Sequence, residues 1–478
     1  MAQLNLLACD VGASNGKTIL ASFDGESLSF EEIHKFANGG EYLNGNFHWD
    51  IIHLFQEIKT GIKKAVKITD GALASLGIDS WGVDYGLLDK QGRLMSLPFH
   101  YRDKRTGGIP EEVFEKAGRE EIYLETGIQF MNFNTIFQLY ADKKTRPWIL
   151  ENGDSLLFIP DLINYFLTGK KYNEQTIAST SQLYNPVKLK WADRLFEKLD
   201  IPRGLVEEII YPGNIIGDLL PEIREECGVK GEFSVMAVGS HDTASAVAAT
   251  PLNDEKSVYI SSGTWLLLGM ELNKPIINDR SLEENFTNEL GVDNRIRFLK
   301  NITGLWLIQE CKRIWDREGR NLSYSDISEA ARMAKPFLYR LDPDDPVFTN
   351  PANMPDTIRE YCRKSGQAVP ESIGEVARGI YESLAFSCDQ VINSLERFTD
   401  TEIETINMVG GGIKAELLCQ YIADITGCRV LAGPVEATAC GNALVQLMGF
   451  GEIKDLQEGR ELLKKSIDLK EYLPSKNI

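Results

Sequence analysis

The 478-residue chain has no C-x-x-C pair among its eight cysteines, and no H-E-x-x-H or other ligand spacing among its five histidines. A structural zinc site or a dithiol redox site needs such spacings, so neither is expected, and the cysteines read as reduced core residues. No uninterrupted apolar stretch approaches the roughly 20 residues of a membrane span. No basic n-region, long apolar segment or cleavage site precedes the strand-like opening "MAQLNLLACDVG", which points to a cytoplasmic protein. Long Lys/Arg clusters are missing too: 70 acids face 51 bases, for a net charge of −19. Such a field excludes nucleic acid and anionic membranes as partners, and an anionic small molecule would have to be held locally by backbone N–H groups, a lysine or a metal ion. What is present, 43% hydrophobic and 25% charged residues, suits a globular chain of two or three domains.

Strand-like and helix-like segments alternate throughout, which predicts α/β layers. Two stretches share a plan of strand, polar turn and strand: "LNLLACDVGASNGKTILASFDG" near the start and "KSVYISSGTWLLLGMEL" past the middle. They suggest a duplicated domain, with "ATPLNDEKS" as the boundary candidate, an amino-terminal domain over 1–248 and a carboxyl-terminal one over 249–478. Residues 110–125 and 191–210 have the pattern of amphipathic helices, 339–355 reads as a Pro/Asp/Asn-rich loop, and the residues after "ELLKKSIDLK" read as a solvated tail.

"SHDTASAV" places Asp242 after the apolar run "FSVMAVG" and before a helix of small residues, at the carboxyl end of a strand, where α/β folds put ligands. An acid there either caps the helix or does chemistry, and the stretch alone leaves both open. "GASNGKT" is no Walker A loop, because only three residues separate its glycines and a strand-like run follows. It reads instead as a hairpin turn whose backbone N–H groups at Gly12, Ser14, Asn15 and Gly16 suit a phosphate, with Lys17 as a point charge and Asp10 facing a cation. "SSGTW" supplies a second such turn through Gly263 and Thr264. The corner Gly410 to Gly412 permits close approach of a flat ligand, or merely a tight turn. In "SWGVDY" and "HYRDKR", Trp81 and Tyr85 offer faces to a sugar and Asp84, Arg102 and Asp103 offer hydrogen-bond partners, against the plainer readings of core burial and a strand-edge carboxylate. Asn301 and Gln309, in "LKNITGLWLIQECKR", are polar residues around a strand end and helix start.

Together "DVGASNGKT", "GIDSWGVDYGLLD", "YRDKRT", "SHDTASAV", "SSGTW", "LKNITGLWLIQ" and "VGGGIKAELLCQ…AGPVEATACGNA" resemble the FGGY carbohydrate kinases, in the family's order from about residue 5 to about 450, and most closely its branch acting on L-rhamnulose. The resemblance implies two ribonuclease-H-like domains of the actin and hexokinase type with a catalytic cleft between them. It also implies an ATP- and Mg²⁺-dependent kinase that phosphorylates the 1-hydroxyl of a ketose, as a monomer or homodimer. Asp242 would be the catalytic base. Gly82, His241, Asp242, Thr243 and Asn301 would bind the sugar, and Ala13, Ser14, Asn15, Gly16, Lys17, Thr264, Gln309 and Gly411 the nucleotide, with Asp10 and Asp242 facing the metal. The chain departs from the family at Lys17, where arginine is usual, and at Gly86, where a bulkier apolar residue is expected. L-Fuculose or another deoxyketose is the alternative substrate, and a non-catalytic nucleotide- or sugar-binding switch the alternative function.

Overall fold

In the computed structural model, which describes residues 3–252 and 254–475, the apolar run at Leu4–Val11 becomes an inner strand of a six-stranded sheet. It pairs antiparallel with Asn15–Phe23 and parallel with Ser75–Ser80. Alternation along the strand divides its side chains between two cores. Leu7, Cys9 and Val11 join a cluster with Ile51, Leu54, Ile58 and Ile62 of the helix Ile51–Ile68, while Ala8 meets Ala439 of the helix Ala437–Phe450. The first helix begins where Asp50 accepts the His53 N–H, and its buried residues recur at three- and four-residue spacing, the pattern that turns one helix face to a sheet. Gly61 lies so close to Thr18 that a methyl group there would collide with it.

This sheet belongs to the first of two units, made of Met1–Ala249, Glu271–Phe298 and Ala437–Ser466; the second comprises Thr250–Met270, Leu299–Glu436 and Ile467–Ile478. The strand order of the first runs Ile215–Gly217, Ser234–Met236, Ser75–Ser80, Leu4–Val11, Asn15–Phe23, Leu28–Ala37. The second sheet has seven strands, of which six repeat that order, Lys470–Tyr472, Arg429–Ala432, Thr405–Val409, Ser257–Ser262, Trp265–Leu272, Ile296–Thr303, with Thr287–Leu290 added at the edge beyond Ile296–Thr303. In both, a hairpin leads into two parallel strands and an antiparallel strand closes the edge. The matching order is what the two strand–turn–strand stretches predict of a duplicated domain.

Local expectations are corrected in four places. The helix over 110–125 is two, Ile109–Ala117 and Arg119–Thr126, broken at Gly118 with φ of 83°. Of 191–210 only Asp193–Leu199 is α-helical, because Asp200 turns left-handed at φ 51° and Pro202 withholds an N–H. The strand before "GLWLIQ" is not a residue or two but Ile296–Thr303. The tail is not wholly solvated: Lys470–Tyr472 pairs with Arg429–Ala432 and buries Tyr472, while 476–478 lie outside the described residues. All eight cysteines are buried and none forms a disulfide among the described residues, and no described helix is long and apolar enough to cross a membrane.

Candidate active site

Acidic side chains of the first unit gather at the carboxyl ends of its parallel strands. Asp10 lies in register beside Asp79, and Asp79 is fully buried. Burial first, then the charge of Asp10 and more weakly that of Asp242, push the Asp79 carboxyl well above the usual range, against a lowering hydrogen bond from Asn442. Asn442 Nδ2 donates to Asp79 Oδ2 at 2.6 Å, while Asp79 Oδ1 has no hydrogen-bond partner among the described residues.

Asp242 is the first residue of the helix Asp242–Ala248, reached from the strand Ser234–Met236 through a short loop. The loop is clamped from several sides. The Ser80 N–H donates to Ser240 O at 2.8 Å, Glu174 Oε2 accepts the Ser240 N–H at 3.2 Å, and Thr176 Oγ1 accepts the His241 N–H at 3.1 Å. Glu174 also caps the helix Gln175–Ser179, and burial raises its carboxyl to about 7 although Thr176, Ile177 and Ser240 all donate to it. Behind the loop the helix packs so closely on Ala437–Phe450 that a methyl group at Gly441 would collide with Ser245 O, which is why both helices are built of small residues. Asp242 itself stays 30% exposed. Its Oδ1 accepts from Thr243 N at 2.6 Å and Thr243 Oγ1 at 3.1 Å, and His241 Nε2 lies 3.5 Å from the same oxygen. All of these contacts fall on one oxygen, and none reaches Oδ2.

The other ring nitrogen of His241 faces a buried ion pair. Arg297 Nη2 lies 3.0 Å from Nδ1, Glu289 Oε2 lies 3.2 Å from Nδ1, and the two charged groups are 3.0 Å apart. Burial alone would raise the Glu289 carboxyl, but Arg297 and then His241 outweigh it and hold it below the usual range.

Gly82 precedes Val83, whose φ of 69° is rare for a β-branched residue. A tight turn closes there, from the Asp84 N–H to Gly82 O at 2.9 Å, and neighbours pin it: Thr180 Oγ1 accepts the Val83 N–H and Thr135 Oγ1 donates to Val83 O. Asp84 is not available for sugar hydroxyls. It is fully buried and accepts from Trp49 Nε1 at 2.6 Å, Trp81 Nε1 at 3.0 Å, the Tyr101 N–H at 3.0 Å and Gln138 Nε2 at 2.8 Å. Burial raises it to about 6 in spite of those donors. Trp81 is packed against Trp49 at 3.9 Å between ring centres, and Asp103 is spent on the N–H groups of Phe47 and Arg105. Gly86 has a packing reason: a methyl group there would come within 2.7 Å of Leu162 and 2.9 Å of Leu94.

The turn Ala13–Lys17 leaves the strand that carries Asp10, and Lys17 pairs across the hairpin with Asp10. Asn38 holds the turn, donating from Nδ2 to Gly12 O and from N to Ser14 O. Lys17 Nζ lies 3.9 Å from Glu32. In the second unit Thr264 Oγ1 lies 3.5 Å from Gln309 Oε1, and the corner Gly410–Gly412 packs on Ser262 of the same hairpin. A methyl group at Gly412 would collide with Ser262 Oγ and one at Gly410 would meet Ser262 O at 2.9 Å, whereas Gly411 has nothing within 4 Å. Thr264 and Gln309 are therefore brought together, and the corner that holds Gly411 packs on the end of the strand just before Thr264. Asn301 stands half-buried in the strand Ile296–Thr303, on the second unit, so it does not share a unit with His241, Asp242, Thr243 and Gly82.

Asp79, Glu174, Thr176, Glu289 and Arg297 escape the sequence reading. The available signal was charge inside strand-like runs: an acid in "SLGIDSW", and an acid and a base in "TNELGVDNRIRFLK".

Comparison with known proteins agrees with this architecture. Residues 5–248 match the N-terminal domain of the FGGY family of carbohydrate kinases, and residues 258–450 match its C-terminal domain. The chain belongs to the FGGY family of carbohydrate kinases. A rhamnulokinase of Oceanobacillus iheyensis is 46% identical over 99% of this chain and 98% of its own, and one of Bacteroides thetaiotaomicron is 43% identical over 98% and 96%. Among solved structures, ligand-bound xylulose kinase from Lactobacillus acidophilus superimposes with a TM-score of 0.80 at 17% identity, covering 98% of this chain and 94% of that one. Plasmodium falciparum glycerol kinase with ADP gives 0.78 at 16% identity, covering 99% and 94%. The fold is thus the two-domain, ribonuclease-H-like fold of the sugar kinases.

Proposed function

We propose that the protein transfers the γ-phosphoryl group of ATP to the 1-hydroxyl of L-rhamnulose, giving L-rhamnulose 1-phosphate and ADP, in L-rhamnose catabolism in the cytoplasm. The observation that carries the reaction type is Asp242: a partly exposed carboxylate at a strand-to-helix junction, with one oxygen held by Thr243 and the other uncommitted. The choice of sugar rests on the end-to-end likeness to proteins named rhamnulokinase.

In this reading Oδ2 of Asp242 accepts the proton of the attacking hydroxyl, the hydroxyl oxygen bonds to the γ-phosphorus, and the bond from phosphorus to the β-phosphate oxygen breaks, its electrons leaving on ADP. The Thr243 N–H and hydroxyl at the helix start hold Oδ1 of Asp242. Gly82, His241 and Thr243 of the first unit are assigned to the ketose, and so is Asn301 of the second. The turn Ala13–Lys17 of the first unit is assigned to the nucleotide, as are Thr264, Gln309 and Gly411 of the second, and Lys17 contributes a point charge rather than the forked contact of an arginine.

The carboxylates suit Mg²⁺. Among the described residues no three His, Cys, Asp or Glu side chains form a metal cage by themselves, and Mg²⁺ is commonly bound by one or two carboxylates, waters and substrate phosphates. The orphaned, buried Asp79 Oδ1 beside Asp10 adds an oxygen to that hard donor set. Asp10 and Asp242 would hold the ion, which would neutralise charge on the phosphates.

The test is ADP release with Mg-ATP and, singly, L-rhamnulose, L-fuculose, L-ribulose, D-xylulose and glycerol. L-Rhamnulose is expected to give the highest kcat/KM. A higher value with L-fuculose would move the assignment to that sugar, and ATP binding without turnover on any of them would favour a switch protein.

A further inference from the structure

The ion pair behind His241 has no part in the reaction as described so far, yet its placement bears on the base. Arg297 is fully buried and Glu289 nearly so, and both sit on the hairpin formed by Thr287–Leu290 and the start of Ile296–Thr303. Burying two charges costs free energy that packing an apolar pair would avoid, so the pair stabilises the fold weakly at best. What it does is specify one ring nitrogen. A guanidinium has only donors and stays protonated, so an Arg297 N–H aimed at Nδ1 requires the lone pair there and places the histidine proton on Nε2. Glu289 Oε2, 3.2 Å from Nδ1, would accept an Nδ1–H in the other tautomer, and it is the Arg297 N–H aligned with Nδ1 at 3.0 Å that favours a lone pair there. Leu290 O fixes the guanidinium, accepting from Nε at 3.3 Å and Nη2 at 3.1 Å.

We infer that Arg297, neutralised by Glu289, is a positioning residue that locks His241 as the Nε2–H tautomer, so that this N–H faces Oδ1 of Asp242 and turns Oδ2 to the substrate hydroxyl. The inference rests on Asp242 being the base only for its consequence in turnover. The tautomer itself follows from contacts within the first unit. Thr243 then holds Oδ1 through two hydrogen bonds, while the His241 Nε2–H faces the same oxygen at 3.5 Å. Arg297 acts through His241 and touches no reacting atom.

The experiment uses the full chain labelled with ¹⁵N-histidine. Five histidines give few signals, and the His241→Gln protein identifies the one that matters. In its neutral form, wild-type His241 is expected to show a protonated Nε2 and a bare Nδ1. Removing Arg297 alone strands a buried charge and invites unfolding, so the variant to test is the neutral pair Glu289→Gln with Arg297→Met. It should stay folded, lose the single tautomer, and lower kcat by roughly 10-fold or more with KM for ATP unchanged. In the His241→Gln background the same pair of changes should lower kcat no further. A wild-type signal with the proton on Nδ1 overturns the inference whatever the turnover. So does a folded neutral-pair variant with wild-type kcat, or an undiminished effect in the His241→Gln background. Because the spectrum is read without substrate, failure of the kinase reading would leave the tautomer result standing.

Discussion

A methyl group added at Gly412 would collide with Ser262 Oγ, whereas one added at Gly411 would meet nothing within 4 Å. The two glycines therefore answer to different demands, one to packing and one to what approaches from outside. Gly412→Ala should lower stability by about 1–3 kcal/mol, the usual cost of overpacking, as read by thermal unfolding. Gly411→Ala should leave the melting temperature unchanged and raise KM for ATP. Equal losses of stability in both would contradict the assignment of Gly411 to the nucleotide. Asp84 shows how a residue-level reading from sequence misses: its carboxylate looks available beside two aromatic residues, but Trp49 and Gln138, which fill it together with Trp81 and Tyr101, lie far away in the chain.

Elements set by local rules were legible. The two hairpins follow from apolar runs broken by Gly/Ser turns, and the helix after Asp242 from a run of small residues ahead of a boundary. Elements that exist because of a distant partner were not. Lys470–Tyr472 is a strand only because Arg429–Ala432 offers it an edge, and the hairpin carrying Glu289 and Arg297 meets His241 across 56 residues of sequence from Arg297. The loop before Asp242 likewise depends on Glu174, 66 residues from Ser240. That clamp has a pH signature. Burial raises Glu174 from 4.5 to about 7 and Asp84 from 3.8 to about 6, so these two groups bind more protons in the folded chain than in the unfolded one across that span. Their contribution to stability is complete below about pH 4 and is lost as pH rises to about 7. Urea unfolding at about pH 5 and about pH 8 should show this loss in the wild type and less of it in Glu174→Gln. An unchanged difference between the two pH values in that variant would refute the raised value.

At the scale of the molecule the two units interleave in sequence. The helix Ala437–Phe450 belongs to the first unit, where Gln446 Nε2 donates to Leu7 O and Asn442 to Asp79. A fragment ending at residue 249 would expose the face of the first sheet that this helix covers and strand those buried polar groups. It is expected to lack the dispersed amide spectrum of a folded domain. A folded, monomeric fragment would contradict this. The central claim for the whole protein is that Asp242 serves as base in phosphoryl transfer to a ketose. The measurement that tests it most directly is turnover of Asp242→Asn with Mg-ATP and L-rhamnulose, beside calorimetric binding of the sugar to the same protein. The account predicts a loss in kcat of about 10²- to 10⁴-fold with sugar binding largely kept. Wild-type turnover in that variant would contradict it and leave Asp242 as a helix-end carboxylate.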